Sequence, residues 1–228
     1  MNNSLQFKIS PEATSLGVDG CYFVIENMLN ASDSKELETL CADTLTRLFA
    51  GLSETALEND MVLKGFRELH TRVGCSNRKF VASPENLLNM LLRNKRLPKI
   101  NMIVDIYNLV SCKSRLAIGA HDIERIVGNV ELRLTRGDEV FWPLGADKPT
   151  PVRTGEYAYI DDNNEVLCRL EVRQVEKTKV TLGTTKCFYI VQGNPATTSE
   201  QIQSVAQELI TLTQRFCGGN VRMLYPVK

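Results

Sequence analysis

The 228-residue sequence predicts an α+β fold with a helical first half and a β-rich second half. Apolar residues recur at three- and four-residue intervals from about residue 34 to about residue 111, and from about residue 117 to about residue 191 they alternate or form short unbroken runs. The composition, 43% hydrophobic and 24% charged, is that of an ordinary globular chain long enough to bury a real core, which excludes disorder as the main theme.

Each element has a local reason. Residues 15–27 read as an extended entry, because Val18, Tyr22, Phe23, Val24 and Ile25 are β-branched or aromatic and Gly17 and Gly20 punctuate them. Ser34 is placed to cap a helix whose Leu37, Leu40, Cys41, Leu45, Leu48 and Phe49 share one face. A second helix is expected over residues 61–72. Ser83 followed by Pro84 starts a third, with Leu87, Leu88, Leu91 and Leu92 on a narrow face. Its last turn carries Arg93, Lys95 and Arg96, and Pro98 stops it. Residues 101–111 suit a further short helix with Ile103, Ile106, Tyr107 and Val110 inward.

Strands and hairpins follow: alternating Val130, Leu132 and Leu134, then residues 140–142, then 157–160, a turn at 161–164, and a strand over 166–172. Residues 187–191 form an apolar run suited to a buried strand that Asn194-Pro195 ends. Thr198 and Gln201 make a capping box for a long helix bearing Ile202, Val205, Leu209, Leu212 and Phe216. Gly218 and Gly219 close it, and residues 221–225 are the final strand. No internal repeat, low-complexity tract or long linker interrupts the chain.

The 27 basic and 27 acidic side chains balance, so bulk charge gives no reason for nucleic-acid or membrane capture. The local distribution is uneven. Residues 1–60 carry 3 basic and 10 acidic side chains, whereas residues 61–99 carry 9 basic and 2 acidic. This basic block, with Arg67, Arg72, Arg78, Lys79, Arg93, Lys95, Arg96 and Lys99, either meets phosphates or folds against the acidic beginning of the chain. Seven cysteines without a ligand-type spacing read as core residues, and two histidines are too few for a His-rich metal site. No cofactor or metal is expected, although carboxylate-bound magnesium stays open. No apolar run reaches the roughly 20 residues of a membrane span, and the start lacks a basic region followed by an apolar one. A cytoplasmic protein is expected.

The sequence has no G-x-S-x-G elbow, Walker loop or dinucleotide fingerprint. A polar mid-chain set remains: Asp105 and Asn108 on one helix face, His121-Asp122 just after Gly119, then Arg169, Arg173 and Thr178. Each has a plain structural alternative. Asp105 and Asn108 could fix the following loop, and His121 could be a general base near neutral pH or a capping residue. Arg169 and Arg173, four apart in an expected strand, would point to one face and suit a phosphate or carboxylate, or else pair with Glu171 or Glu176. Gly183 and the threonines 178, 181, 184 and 185 supply donors in a loop.

Three stretches, Asn101-Met-Ile-Val-Asp105-Ile-Tyr-Asn108-Leu-Val, Ala117-Ile-Gly119-Ala-His121-Asp122 and Thr178-Lys-Val-Thr181 through Lys186, occur in an order that resembles the B3/B4 module of the phenylalanyl-tRNA synthetase beta subunit. The closing helix with Cys217-Gly-Gly agrees, and the likeness covers roughly residues 63–225. It implies a three-layer β/β/α module with a β-sandwich of unusual topology over residues 63–228. Residues 1–62 would be a helical, acidic extension packed on that module. Within the synthetase the module removes wrongly attached amino acids from tRNA. The resemblance therefore implies a cleft for the aminoacylated acceptor end of a tRNA, with no DNA or membrane partner, and here a free-standing protein acting in trans.

For such a site Asn108, His121 and Asp122 are the expected catalytic residues. Gly119, Arg169, Arg173, Thr178, Lys186 and Val191 are the expected substrate contacts. Two departures stand out. With Asp122 set on the family's P-L-H-A-F-D aspartate, the family histidine falls on Gly119. The glutamate that recognises tyrosine falls near Val191 or Gln192, so a pocket lined by Val191 would lack an acceptor for a phenol. A non-catalytic tRNA- or partner-binding protein, or an amino-acid sensor, is the alternative to an editing hydrolase.

Overall fold

The computed structural model describes residues 4–225. In chain order these form β1 (Phe7–Ile9), α1 (Pro11–Ser15), β2 (Gly20–Glu26), α2 (Lys35–Ala50), α3 (Glu54–Asn59), α4 (Met61–Arg72), α5 (Ser83–Asn94) and α6 (Met102–Ser114). There follow β3 (Ala117–Asp122), a 3₁₀ turn (Ile123–Arg125), β4 (Val130–Leu134), β5 (Tyr157–Asp161), β6 (Val166–Arg169), β7 (Arg173–Gln174), β8 (Cys187–Gln192), α7 (Ser199–Cys217) and β9 (Asn220–Tyr225). Helices α2, α3, α4, α6 and α7 begin on a capping oxygen, Ser34, Ser53, Asp60, Asn101 and Thr198 each accepting a backbone N–H of the first turn, whereas α5 begins with Pro84 in its first turn and no side-chain cap. Helices α5 and α6 end on Lys95 and Arg115 in left-handed conformation.

Two sheets stack face to face. One has the order β1-β4-β5-β6-β7 and the other β3-β8-β2-β9. Only β1 with β4 is parallel; the remaining pairs are antiparallel. Strand parity divides the core. On one face of the second sheet Cys21, Phe23, Ile25, Tyr189 and Val191 pack against α2, α6 and α7. On the other face Tyr22, Val24, Phe188 and Ile190 meet Val130, Leu132, Tyr157 and Tyr159 of the first sheet. The result is the three-layer α+β arrangement, β/β/α. A smaller cluster of Leu57, Leu63, Leu88 and Cys112 joins α3 to α6. Strand β1 lies in one sheet and β2 inside the other.

Three local expectations change. A short helix, α1, precedes the first long strand, which begins only at Gly20. Residues 140–142 form no strand; Val140 and, beyond them, Pro143 make isolated bridges. The expected strand over 166–172 breaks after Arg169, because Leu170 (φ 53°) and Glu171 (φ 44°) turn left-handed and send the chain back as β7. Arg169 and Arg173 therefore face each other across a hairpin.

The basic block is partly turned inward. Arg67 forms a 2.7 Å ion pair with Glu85, and Lys99 bridges Asp33 and Glu38 of the acidic segment. Arg78, Lys79, Arg93, Lys95 and Arg96 are exposed and make no ion pair among the described residues. No helix among the described residues is long and apolar enough to cross a membrane.

Candidate functional site

Strand β3 is one edge of its sheet and β7 one edge of the other. Where these edges diverge, helices α5 and α6 roof a cavity of about 400 Å³. Its apolar wall is Leu87, Met90, Val104, Tyr107 and Ile190. Polar groups come from Asn86 of α5, Asn108 of α6, Gly119 and His121 of β3, and Tyr159, Glu171, Arg173 and Gln192. Mixed lining of this size suits a small organic group held by a few directed hydrogen bonds.

The floor is a connected, buried polar chain. Glu171 Oε1 lies 2.5 Å from Nε2 of His70 on α4, and its Oε2 accepts from Gln192 Nε2 at 2.9 Å. Gln192 Oε1 accepts from the Tyr159 hydroxyl at 2.6 Å, and that hydroxyl lies 3.2 Å from the hydroxyl of Tyr22. His70 Nδ1 faces the Phe80 carbonyl at 3.1 Å, so both of its nitrogens meet acceptors and both must carry protons. Burial alone would lower the His70 pKa, but the hydrogen bond and charge of Glu171 outweigh it and raise it. On the floor Glu171 thus favours the protonated form of the His70 ring. Burial and the Glu171 charge push the Tyr157 phenol well above its ordinary value.

His121 is the opposite case. Its Nδ1 lies 2.7 Å from Thr178 Oγ1, and burial without a charged partner lowers its pKa to about 4. It is a neutral ring at pH 7. The lining thiol of Cys168 is pushed up to about 12 by burial, so it supplies no thiolate. No group of three or more His, Cys, Asp or Glu side chains among the described residues could hold a metal.

Of the residues expected from the sequence, Asn108, Gly119, His121 and Arg173 line this one cavity. A Cβ on Gly119 would meet nothing within 4 Å, so the family histidine's position is empty space here. Arg173 is exposed at the mouth with no ion pair among the described residues. Thr178 reaches the cavity only through His121.

The other four are elsewhere. Asp122 is a capping residue: it accepts from Thr184 Oγ1 at 2.7 Å and from the Glu124 N–H at 3.0 Å. Arg169 grips Glu156 with two nitrogens, at 2.6 and 2.8 Å, and stacks on Phe80. Lys186 is partly buried, 3.7 Å from Glu124. Val191 faces the helices because its parity is odd, while Ile190 and Gln192 face the cavity. The expectation of a pocket without an acceptor rested on Val191; Glu171, delivered by the β6–β7 turn, provides one.

Sequence reasoning missed Glu171, His70, Tyr159 and Gln192 as a unit. Gln192 had a signal, since a polar residue continues the parity of Phe188 and Ile190 at the end of an apolar run. Glu171 had none, because its burial depends on two left-handed residues in what reads as an uninterrupted strand.

The fold and sequence both have relatives. The chain is 31% identical over 121 residues to the phenylalanine–tRNA ligase beta subunit of Mycoplasma genitalium, covering 53% of this chain and 14% of that one. It resembles in fold the crystal structure of an N-terminal fragment of the Pyrococcus horikoshii phenylalanyl-tRNA synthetase beta subunit, with a TM-score of 0.52 at 14% identity over 96% of this chain and 51% of the fragment. It therefore spans only part of each relative. Residues 66–218, which include every cavity-lining side chain, match the family model of the B3/4 domain, and the chain belongs to that family.

Proposed function

We propose that this protein receives the aminoacylated 3′ end of a tRNA and hydrolyses, in trans, the ester of a wrongly attached amino acid. The observation that carries the reading is the cavity: an apolar wall, a hydrogen-bonding floor and, at its mouth, the unpaired Arg173. The similarity to phenylalanyl-tRNA synthetase beta subunits supports the substrate class. The cavity would take the amino-acid side chain, and Arg93, Lys95 and Arg96, at the C-terminal end of the lining helix α5, would meet the phosphates.

An aminoacyl ester needs little from a protein nucleophile. A held water could attack the carbonyl, and fixed donors would stabilise the oxyanion that forms. Asn108 offers an amide, and neutral His121, set by Thr178, can hold a water or donate to oxygen. Glu171 and Gln192 on the floor favour a side chain that ends in a hydrogen-bonding group.

Purified protein incubated with a panel of mischarged tRNAs should release at least one amino acid faster than spontaneous hydrolysis. Asn108→Ala and His121→Ala should slow that release. One observation favours a second reading, a binding protein without hydrolysis: Asp122 is committed to a cap, and Glu171 is committed to His70 and Gln192. Salt-sensitive tRNA binding with no release across the panel would select it.

A further inference from the structure

The chain has one tryptophan, Trp142, and its ring is 45% exposed. Its indole N–H donates to the Ala146 carbonyl at 2.7 Å, which fixes the ring and satisfies its only polar atom. What remains in water is carbon surface. The segment around it runs antiparallel to the chain after β7. Pro143 bridges Val175, the Leu144 N–H donates to the Gln174 carbonyl at 2.8 Å, and the Glu176 N–H donates to the Trp142 carbonyl at 2.9 Å. Phe141 and Pro143 point inward. Pro143 alone separates Trp142 from Leu144, which opens the turn closed by the Ala146 N–H on the Pro143 carbonyl. Leu144 and Gln174 line the cavity, so Trp142 stands one step outside its mouth.

The rest of that mouth has a matching character. Ile100, 52% exposed, lines the cavity, and so do the exposed Arg173, which has no ion pair among the described residues, and Lys179, which is paired with Glu176. A fixed aromatic face beside cations is the combination that holds single-stranded nucleic acid, by stacking bases and meeting phosphates. We propose that Trp142 is the platform on which the unpaired terminal base of the RNA stacks while the ester on its ribose enters the cavity. This rests on the proposed function and adds a base-binding residue to it.

Because Trp142 is the sole tryptophan, fluorescence excited at the red edge of the indole band, where the 6 tyrosines do not absorb, reports on this ring alone. The probes are an uncharged tRNA with an intact CCA end and the same tRNA lacking its terminal adenosine. The intact tRNA should quench the emission and the shortened one should not. Trp142→Ala should weaken binding of the intact tRNA by about tenfold or more, and Trp142→Phe should retain most of the affinity. Circular dichroism checks that the variants fold; if the alanine variant does not, the quenching and the phenylalanine variant still decide. Unchanged emission on saturating tRNA, or wild-type affinity in a folded Trp142→Ala, overturns the stacking role. If that happens while mischarged tRNA is still hydrolysed, the proposed function survives it; absence of both tRNA binding and hydrolysis removes the two together.

Discussion

Replacing Gly119 by leucine tests whether the cavity is the working site, because the structure separates occupancy from folding at this position. Gly119 sits in β3 opposite Ile190 of β8, without positive φ, and a Cβ there has no atom within 4 Å. Glycine within a strand is a cost of roughly 0.5–1 kcal/mol relative to alanine, so the backbone should accept a side chain. Leucine adds four carbons beside the open volume of about 400 Å³. A single methylene misfit in an apolar pocket changes discrimination by roughly 10- to 200-fold, so four carbons should lower kcat/KM by at least about 100-fold. Gly119→Ala should lower it less. Unfolding free energies from urea titration should stay within about 1 kcal/mol of the parent. The assay is single-turnover deacylation of whichever mischarged tRNA the parent hydrolyses. A folded Gly119→Leu protein acting at the parent rate would refute the reasoning, since the reaction would then bypass the cavity.

Breaking the buried His70–Glu171 pair by Glu171→Ala should cost about 3–5 kcal/mol of stability, read by urea unfolding, because it strands an imidazolium among carbonyls. The two histidines should act on stability in opposite directions. His121 is held to about 4 against an ordinary 6.5, so the unfolded chain binds the extra proton between those values and stability rises with pH there, by about 3 kcal/mol; His121→Asn should flatten that rise. His70 is raised, so its contribution is full below 6.5 and is lost as pH climbs through its folded value; His70→Gln should flatten that fall. Asp122→Ala should cost about 1.5–3 kcal/mol in thermal or urea unfolding through its lost charged hydrogen bonds. Near-normal deacylation at low temperature should accompany that loss; a dead but fully stable variant would return Asp122 to the chemistry. Arg173→Ala should weaken tRNA binding and reduce the slope of log affinity against log salt by about 1, with stability unchanged, whereas Arg169→Ala should instead destabilise the fold.

The sequence by itself determined the elements whose causes are local. Capping oxygens at Ser34, Asn101 and Thr198, the proline after Ser83 and the even–odd pattern of residues 187–192 act over a few bonds and can be read without a partner. They also brought Asn108, Gly119 and His121 into one reading, because these lie on α6 and β3, adjacent in the chain and packed together. Tertiary structure alone decided what each charge faces. Arg169 and Arg173 look equivalent in sequence, yet a hairpin gives one to Glu156 and leaves the other at the cavity mouth. Glu171 became the floor because His70, 101 residues away, could neutralise it in a place that water does not reach. Burial and pairing of charge depend on contacts between distant segments, and no local pattern encodes them.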